Sequence, residues 1–438
     1  TSLVTEVYKQ LEKEKIMNKF LNEKLMPVAA KIGSNKGMIA IRDGITLAMP
    51  LIIIGSLLMI IATGFAIPSL EAWLNDAGIA AYLWKGSDSS FGLIGLVASF
   101  GIAYSMTKQY GVDGVPSGIV SLSTFIVVTP FVTGEAGNGM PTTYMAAQGL
   151  FVAIILGLIN GWVYQWFINH NIQIKMPESV PPAVSKSFSA ILPGAALIVG
   201  WLIVYGILDA FKLPNMHMLA KTILGTPLGL LGNNLIGVVI LVMCCSGLWF
   251  VGLHGGNIVN KIMEPIWLAN LGENTEAFKA GEPLKHIFTT PFMDNFVYIG
   301  GAGATIGLVI ALAWMARRKK ASQQAKTLAP ITLVPGFFNI NEPTMFGIPV
   351  VLNILLLLPF VLAPIVNLIL AYGAMAIGLV PLTYTAPGWT TPPVISGFLA
   401  TGSLRASLLQ IVLIVVDVLL YLPFVANVEK RFKAQEEN

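Results

Sequence analysis

Between Lys326 and Arg405 the chain carries one formally charged residue, Glu342. Everything else in that stretch is apolar or small and polar, which limits the folds open to it. A segment so poor in charge cannot form the surface of a water-soluble domain; it belongs in a bilayer. Composition agrees: 55% of the 438 residues are hydrophobic and 11% are charged, against about 25% charged in soluble domains. An ionisable group inside such a segment costs about 3 kcal/mol on insertion scales, so it faces a cavity or a partner rather than lipid. The sequence therefore predicts an all-α polytopic membrane protein that holds the Glu342 carboxylate beside something polar.

The first half reads as regular spans. Residues 4–28 have apolar positions three and four apart with Lys and Glu between them. That pattern predicts an amphipathic helix in the membrane interface, or else a solvated lead-in helix packed on the protein. The charged first 36 residues show no pattern of a cleavable signal peptide, and none is expected there. Ala40–Gly44 precedes a first span, Ile45–Ile67, of 23 uncharged residues, long enough to cross. A loop over 68–90 follows, with Trp73 and Trp84 suited to an interface. Phe91–Thr107, Val115–Val132, Met145–Ile168 and Phe188–Leu208 are the next spans, separated by a Gly/Asn/Thr-rich loop (133–143) and a Pro-rich segment (169–187). Residues 212–233 read as an interfacial linker helix between a first half, 1–211, and a second half, 234–438.

The second half is less regular. Leu235–Leu253 spans, but 254–295 is too long for a loop and too interrupted by Pro and Gly for one span. Phe296–Ala316 is a glycine-rich span whose small residues permit close helix packing. Arg317-Arg318-Lys319-Lys320 is the strongest positive-inside mark. Pro349–Val380 is long for one helix and short for two. Residues 381–403 are Pro/Gly/Thr-rich around Trp389, and Leu408–Val425 is a last span. With the N-terminus inside and one crossing per run, the Arg317–Lys320 cluster falls outside. Partial or re-entrant crossings in 254–295 remove the conflict. Broken helices at membrane depth line cavities and build transporter sites, so 254–295 and 331–349 place the substrate in the second half.

Several residues there carry chemistry. His254 ends a span and opens a Gly-Gly break; it either serves a site that binds a hydroxyl or bonds to local backbone. Asp294 and Asn295 close the same region, as hydroxyl-binding groups or as a helix N-cap. Asn339, Asn341 and Glu342 form a polar run inside apolar sequence. Trp389 either stacks on a sugar ring or anchors an interface. Adjacent Cys244 and Cys245 read as small buried hydrophobes rather than a disulfide framework. The four histidines (170, 217, 254, 286) lack metal-ligand spacing. There is no phosphate-binding or dinucleotide fingerprint, and nothing suggests nucleic-acid binding.

Five stretches together resemble the IIC component of bacterial phosphoenolpyruvate-dependent phosphotransferase systems (PTS), in the lactose/cellobiose/N,N′-diacetylchitobiose branch. They are Ala40–Pro50 (AIRDGITLAMP), His254-Gly255-Gly256, Gly300–Thr305 (GGAGAT), Phe338–Gly347 (FNINEPTMFG) and Trp389–Gly402 (WTTPPVISGFLATG). They keep their order through almost the whole chain, and Asn-Ile-Asn-Glu-Pro is the most specific of them. Gly388 stands where the pattern carries proline before the tryptophan. The resemblance implies a homodimer in the bacterial plasma membrane with about ten transmembrane helices, two re-entrant hairpins and interfacial amphipathic helices. Both termini would be cytoplasmic, and the first half would make the dimer contact. It also implies that a disaccharide is imported and phosphorylated on its 6-hydroxyl by a phosphocysteine on a separate IIB protein, with IIA upstream and no cofactor in this chain. Glu342 and His254 match the pair expected near that hydroxyl. Trp249, Asp294, Asn295, Asn341, Trp389 and, on a first-half loop, Asn138 are the further sugar contacts expected. The competing functions are a proton-coupled secondary sugar transporter using Glu342 and a passive channel.

Overall fold

The computed structural model describes residues 27, 31, 34–134, 137–177, 179–250, 252–348, 350–351 and 353–436. The amphipathic helix expected over 4–28 falls almost entirely outside them. The regular elements are helices apart from one hairpin. Six helices are long and apolar enough to cross a membrane, or seven with the bent pair Met216–Gly232 and Leu235–Phe250, which meet at 82°.

In the first half, Asn35 caps α1 (Lys36–Thr46) by accepting from the Met38 amide. A break at Leu47–Ala48 leads to α2 (Met49–Ala62). The first span therefore covers Lys36–Ala62, and Arg42 and Asp43 lie inside the helix rather than before it. Their side chains pair with each other at 2.7 Å, which lowers the cost of placing them there. The loop expected over 68–90 is helical. Pro68 starts one helix, and α3 (Ile79–Phe91) runs on into α4 (Ile94–Lys108), as a 30-residue span. Next come α5 (Gly114–Val128) and the antiparallel pair β1 (Val132–Gly134) and β2 (Gly137–Gly139) in the expected 133–143 loop. α6 (Leu150–Asn169) and α7 (Ile191–Ala210) complete this half.

Glycine sets the packing of this bundle. A Cβ on Gly44 would stand 2.4 Å from the Ile102 amide nitrogen, and one on Gly101 would stand 2.5 Å from the Gly44 carbonyl. α1 and α4 thus touch backbone to backbone, as membrane helices do where small residues face each other. Buried amides and hydroxyls add polar contacts. Asn160 of α6 donates to Ser121 (3.1 Å) and Thr124 (2.7 Å) on α5, and accepts from the Trp201 indole on α7 at 2.8 Å.

In the second half, α8 (Leu235–Phe250) ends earlier than expected. Of its two unbonded cysteines only Cys245 is buried; Cys244 is exposed. Residues 254–295 then resolve into a π-turn (Gly256–Asn260), a 19-residue helix α9 (Lys261–Lys279), an extended run and a second π-turn (Met293–Val297). The glycine-rich span expected over Phe296–Ala316 is only half helix, α10 (Ile306–Ala316). Ahead of it the backbone is left-handed at Gly300, Gly301, Gly303 and Ala304. The glycines here build a loop, because φ values of +80° to +98° favour residues without a Cβ.

α11 (Gln323–Phe337) and the short α12 (Glu342–Gly347) pack together, joined by residues 338–341. α13 (Ile354–Ala376) is one continuous helix despite Pro359 and Pro364. α14 (Ile395–Thr401) precedes α15 (Leu404–Glu436), which is longer than the span read from sequence. α15 packs on both α10 and α13 to form the second-half core. Ser56 of α2 accepts from the Ala386 amide (3.1 Å), and Asp88 pairs with Lys279 (2.6 Å), so both halves meet around the 381–389 segment and α9.

Candidate functional site

The breaks between elements converge on one cavity of about 1240 Å³, counted with the space open to solvent. It brings together Trp249, His254, Asp294, Asn341, Glu342 and Trp389. Thr46 and Met49, flanking the α1–α2 break, form a wall from the first half. Asn295 instead faces an adjoining recess of about 410 Å³ that shares Asp294 and Trp389. Asn138 does not line the cavity; it is exposed on β2 and accepts from the Thr133 hydroxyl at 3.1 Å.

His254 is placed by glycine. Gly252, at φ +83°, turns the chain after α8. The helix restarts against α8 so closely that a Cβ on Gly255 would stand 2.0 Å from the Cys245 carbonyl. His254 Nδ1 accepts from the Asn257 amide at 3.1 Å, and the ring lies 4.3 Å from that of Trp249. An acceptor at Nδ1 places the proton of a neutral ring on Nε2. The local backbone bond is therefore present, and it leaves Nε2–H as a free donor. Asp294 lies in the first turn of the second π-turn and is not an N-cap; the nearby cap is Thr289, which accepts from the Phe292 amide.

Glu342 is the first residue of α12 and is exposed to the cavity. No described residue hydrogen-bonds or ion-pairs with its carboxylate. The loop before it is stitched on both sides. Asn339, left-handed at φ +59°, accepts from the Gly300 amide (2.6 Å) and donates to the Trp389 carbonyl (2.5 Å). Asn341 donates to the Ala302 carbonyl at 3.0 Å. A Cβ on Gly301 would stand 2.7 Å from the Asn341 side chain. Three separate segments thus hold one another around the carboxylate. Gly388, at φ +97°, has a backbone conformation closed to proline, which accounts for the glycine before Trp389.

Sequence reading missed Lys261, Glu264, Asn257, Asn260, Thr290 and Tyr298 in the cavity wall. Lys261 pairs with Glu264 at 2.8 Å across one helical turn. The signal was their i,i+3 spacing directly after the His254-Gly255-Gly256 break, hidden because 254–295 read as irregular. Three atoms of lining residues, Trp249 Nε1, Glu264 Oε2 and Thr290 Oγ1, are buried without a hydrogen-bond partner. Buried polar groups normally find partners. With exposed His254, Asn257 and Glu342 on the same cavity and aromatic faces beside them, the lining suits a ligand rich in hydroxyls. Among the described residues no cluster of His, Cys, Asp or Glu could hold a metal ion.

A family model described as "Phosphotransferase system, EIIC" matches residues 42–364. The lichenan permease IIC component of Bacillus subtilis (strain 168) is 41% identical, with 96% of this chain and 95% of that protein covered. The cellobiose-specific EIIC component of Geobacillus stearothermophilus is 40% identical, with 96% of each covered. The crystal structure of the transporter ChbC, the IIC component from the N,N′-diacetylchitobiose-specific phosphotransferase system, superposes with a TM-score of 0.89. It is 38% identical and covers 96% of this chain and 99% of that one. The chain is a polytopic membrane protein that belongs to the phosphotransferase system EIIC family.

Proposed function

We propose that this chain imports a β-linked disaccharide of the N,N′-diacetylchitobiose or cellobiose type and presents its 6-hydroxyl to a phosphocysteine on a separate IIB protein, which IIA recharges. The observation that carries this reading is that an unbonded carboxylate, Glu342, and a histidine whose free nitrogen is a donor line the same cavity. The relatives' substrates supply the sugar class. Glu342 takes the proton of the 6-hydroxyl as its oxygen attacks phosphorus. The S–P bond breaks and the IIB thiolate leaves. His254 Nε2–H donates to the hydroxyl oxygen and orients it; a neutral ring with its proton there is a poor base, which leaves that role to Glu342. Phosphoryl transfer depends mostly on such positioning. Trp389, 42% exposed beside the cavity, offers its indole face to a pyranose ring. Trp249, Asp294, Asn295 and Asn341 complete the sugar contacts.

Residues 234–438 would hold the sugar, 212–233 would link, and 1–211 would be scaffold and dimer contact. The exposed apolar face of α7, with Val199, Leu202 and Ile203, supports a lipid or subunit contact there. In this reading the protein sits in the bacterial plasma membrane with ten spans, two re-entrant hairpins and cytoplasmic termini. One observation keeps a second reading open: an unpaired Glu342 also suits a proton site in a secondary sugar transporter. Reconstituted vesicles given labelled disaccharide with and without phospho-IIB separate the two. Group translocation yields only the 6-phosphate, and only with IIB. Unmodified sugar concentrated against its gradient would overturn it.

A further inference from the structure

Midway along α15 lies a carboxyl group that the proposed reaction does not use. Asp417 is 0% exposed. The main elements packed against α15 are α10, α11, α13, α14 and the turn Met293–Val297. Their charged side chains are Lys326 and Asp294, and neither bonds to Asp417; no cation pairs with it among the described residues. Its one hydrogen bond comes from Asn367 on α13, Nδ2 to Oδ2 at 2.9 Å. Asp417 Oδ1 and Asn367 Oδ1 are both buried acceptors without a donor.

A carboxylate so enclosed, with a single amide donor and no cation, is a costly arrangement. One added proton satisfies both orphaned oxygens. The carboxylic O–H donates to Asn367 Oδ1 while Asn367 Nδ2 donates to the other carboxyl oxygen, closing an acid–amide pair. This pair lies behind the cavity's glycine-rich wall. Asn367 Nδ2 also reaches the Val297 carbonyl at 3.5 Å. One turn further along α15, the Tyr421 hydroxyl donates to the Gly303 carbonyl at 2.6 Å. A Cβ on Gly307 would stand 2.5 Å from Asp417. Gly301 and Ala302 of the same loop line the cavity, and Ala302 holds Asn341, the neighbour of Glu342.

We propose that Asp417 carries a proton and, paired with Asn367 one turn from Tyr421, is a positioning residue that fixes the glycine-rich loop against Asn341 and Glu342. The proposal rests on reading the cavity as the sugar site. The test uses the full chain, purified and reconstituted, with D417N and D417A. An amide at 417 keeps both hydrogen bonds, so D417N should bind sugar and accept phosphate from phospho-IIB within about twofold of wild type, whereas D417A should bind at least about tenfold more weakly. Infrared spectroscopy should show a protonated-carboxyl stretch above the amide band in wild type, absent from D417N. A D417N that folds yet loses sugar binding would mean the charge is required and would overturn the proposal. Wild-type affinity in D417A, or no protonated-carboxyl band in wild type, would do the same. If D417A does not fold, D417N and the band decide. Wild-type protein that binds sugar but never yields the 6-phosphate would sink the phosphotransferase reading instead, and sugar binding alone would still judge Asp417.

Discussion

Asn339 is the residue through which the Glu342 loop, the glycine-rich loop and the Trp389 loop are joined, and replacing it with alanine tests whether they act as one unit. The side chain is 6% exposed and spans the Gly300 amide and the Trp389 carbonyl. Asn339→Ala leaves both backbone groups without a partner, at about 1–3 kcal/mol each. It also places an alanine at φ +59°, where a Cβ costs about 1–2 kcal/mol and asparagine is better tolerated. The total, about 3–8 kcal/mol, exceeds what the loops will retain, so they rearrange and part of the loss becomes weaker binding. At about 1.4 kcal/mol per factor of ten, 2 kcal/mol transmitted to the site gives roughly 30-fold weaker affinity. Equilibrium binding of labelled disaccharide to the purified protein measures it, with thermal melting as the folding control. Asn339→Gly relieves the backbone but restores neither hydrogen bond, so it should recover only about 1 kcal/mol. Binding within twofold of wild type in Asn339→Ala would refute the coupling. Full recovery in Asn339→Gly would show that backbone strain alone was measured.

Three further outcomes are expected. Glu342→Gln should keep measurable sugar binding and lose most 6-phosphorylation by phospho-IIB; wild-type turnover would remove the carboxylate from the mechanism. Gly44→Val drives a side chain into the Ile102 backbone and should cost about 3 kcal/mol or more by overpacking, read as a lower melting temperature in detergent. Glu273, outside the spanning helices, is held at about 2, first by the His286 hydrogen bond and then by Lys221. Because that lies below its ordinary 4.5, its contribution to stability is complete above pH 4.5 and lost as pH falls toward 2. Melting temperatures should therefore drop more steeply with acid over that window in wild type than in Glu273→Gln, and parallel slopes would contradict the ion pair.

Some of this was readable from composition and spacing because the bilayer punishes charge wherever it falls. Glu342 stood out for that reason, and it lies on the cavity. The same criterion, applied to the apolar run around Asp417, marks a second such carboxyl. The Gly-Gly pair after His254 marked the right region, but the turn falls before it, at Gly252, and Gly255 instead lets the restarting helix approach α8. Glycine itself was ambiguous: at Gly44 and Gly101 it brings helices together, while at Gly300, Gly301 and Gly303 it sets left-handed turns, and periodicity cannot tell these apart.

Long uncharged runs, with one acid and one histidine at their breaks, determined by themselves that the chain spans a membrane and roughly where its polar work is done. Tertiary structure alone decided which breaks share a cavity. It joined Lys261–Glu264 to the site and left Asn138 outside it. It also brought His254 and Glu342, 88 positions apart in the chain, onto that one cavity. The physical reason is that hydrophobic pattern specifies which face is buried, whereas close backbone approach and hydrogen-bond pairing between distant segments depend on the whole packing.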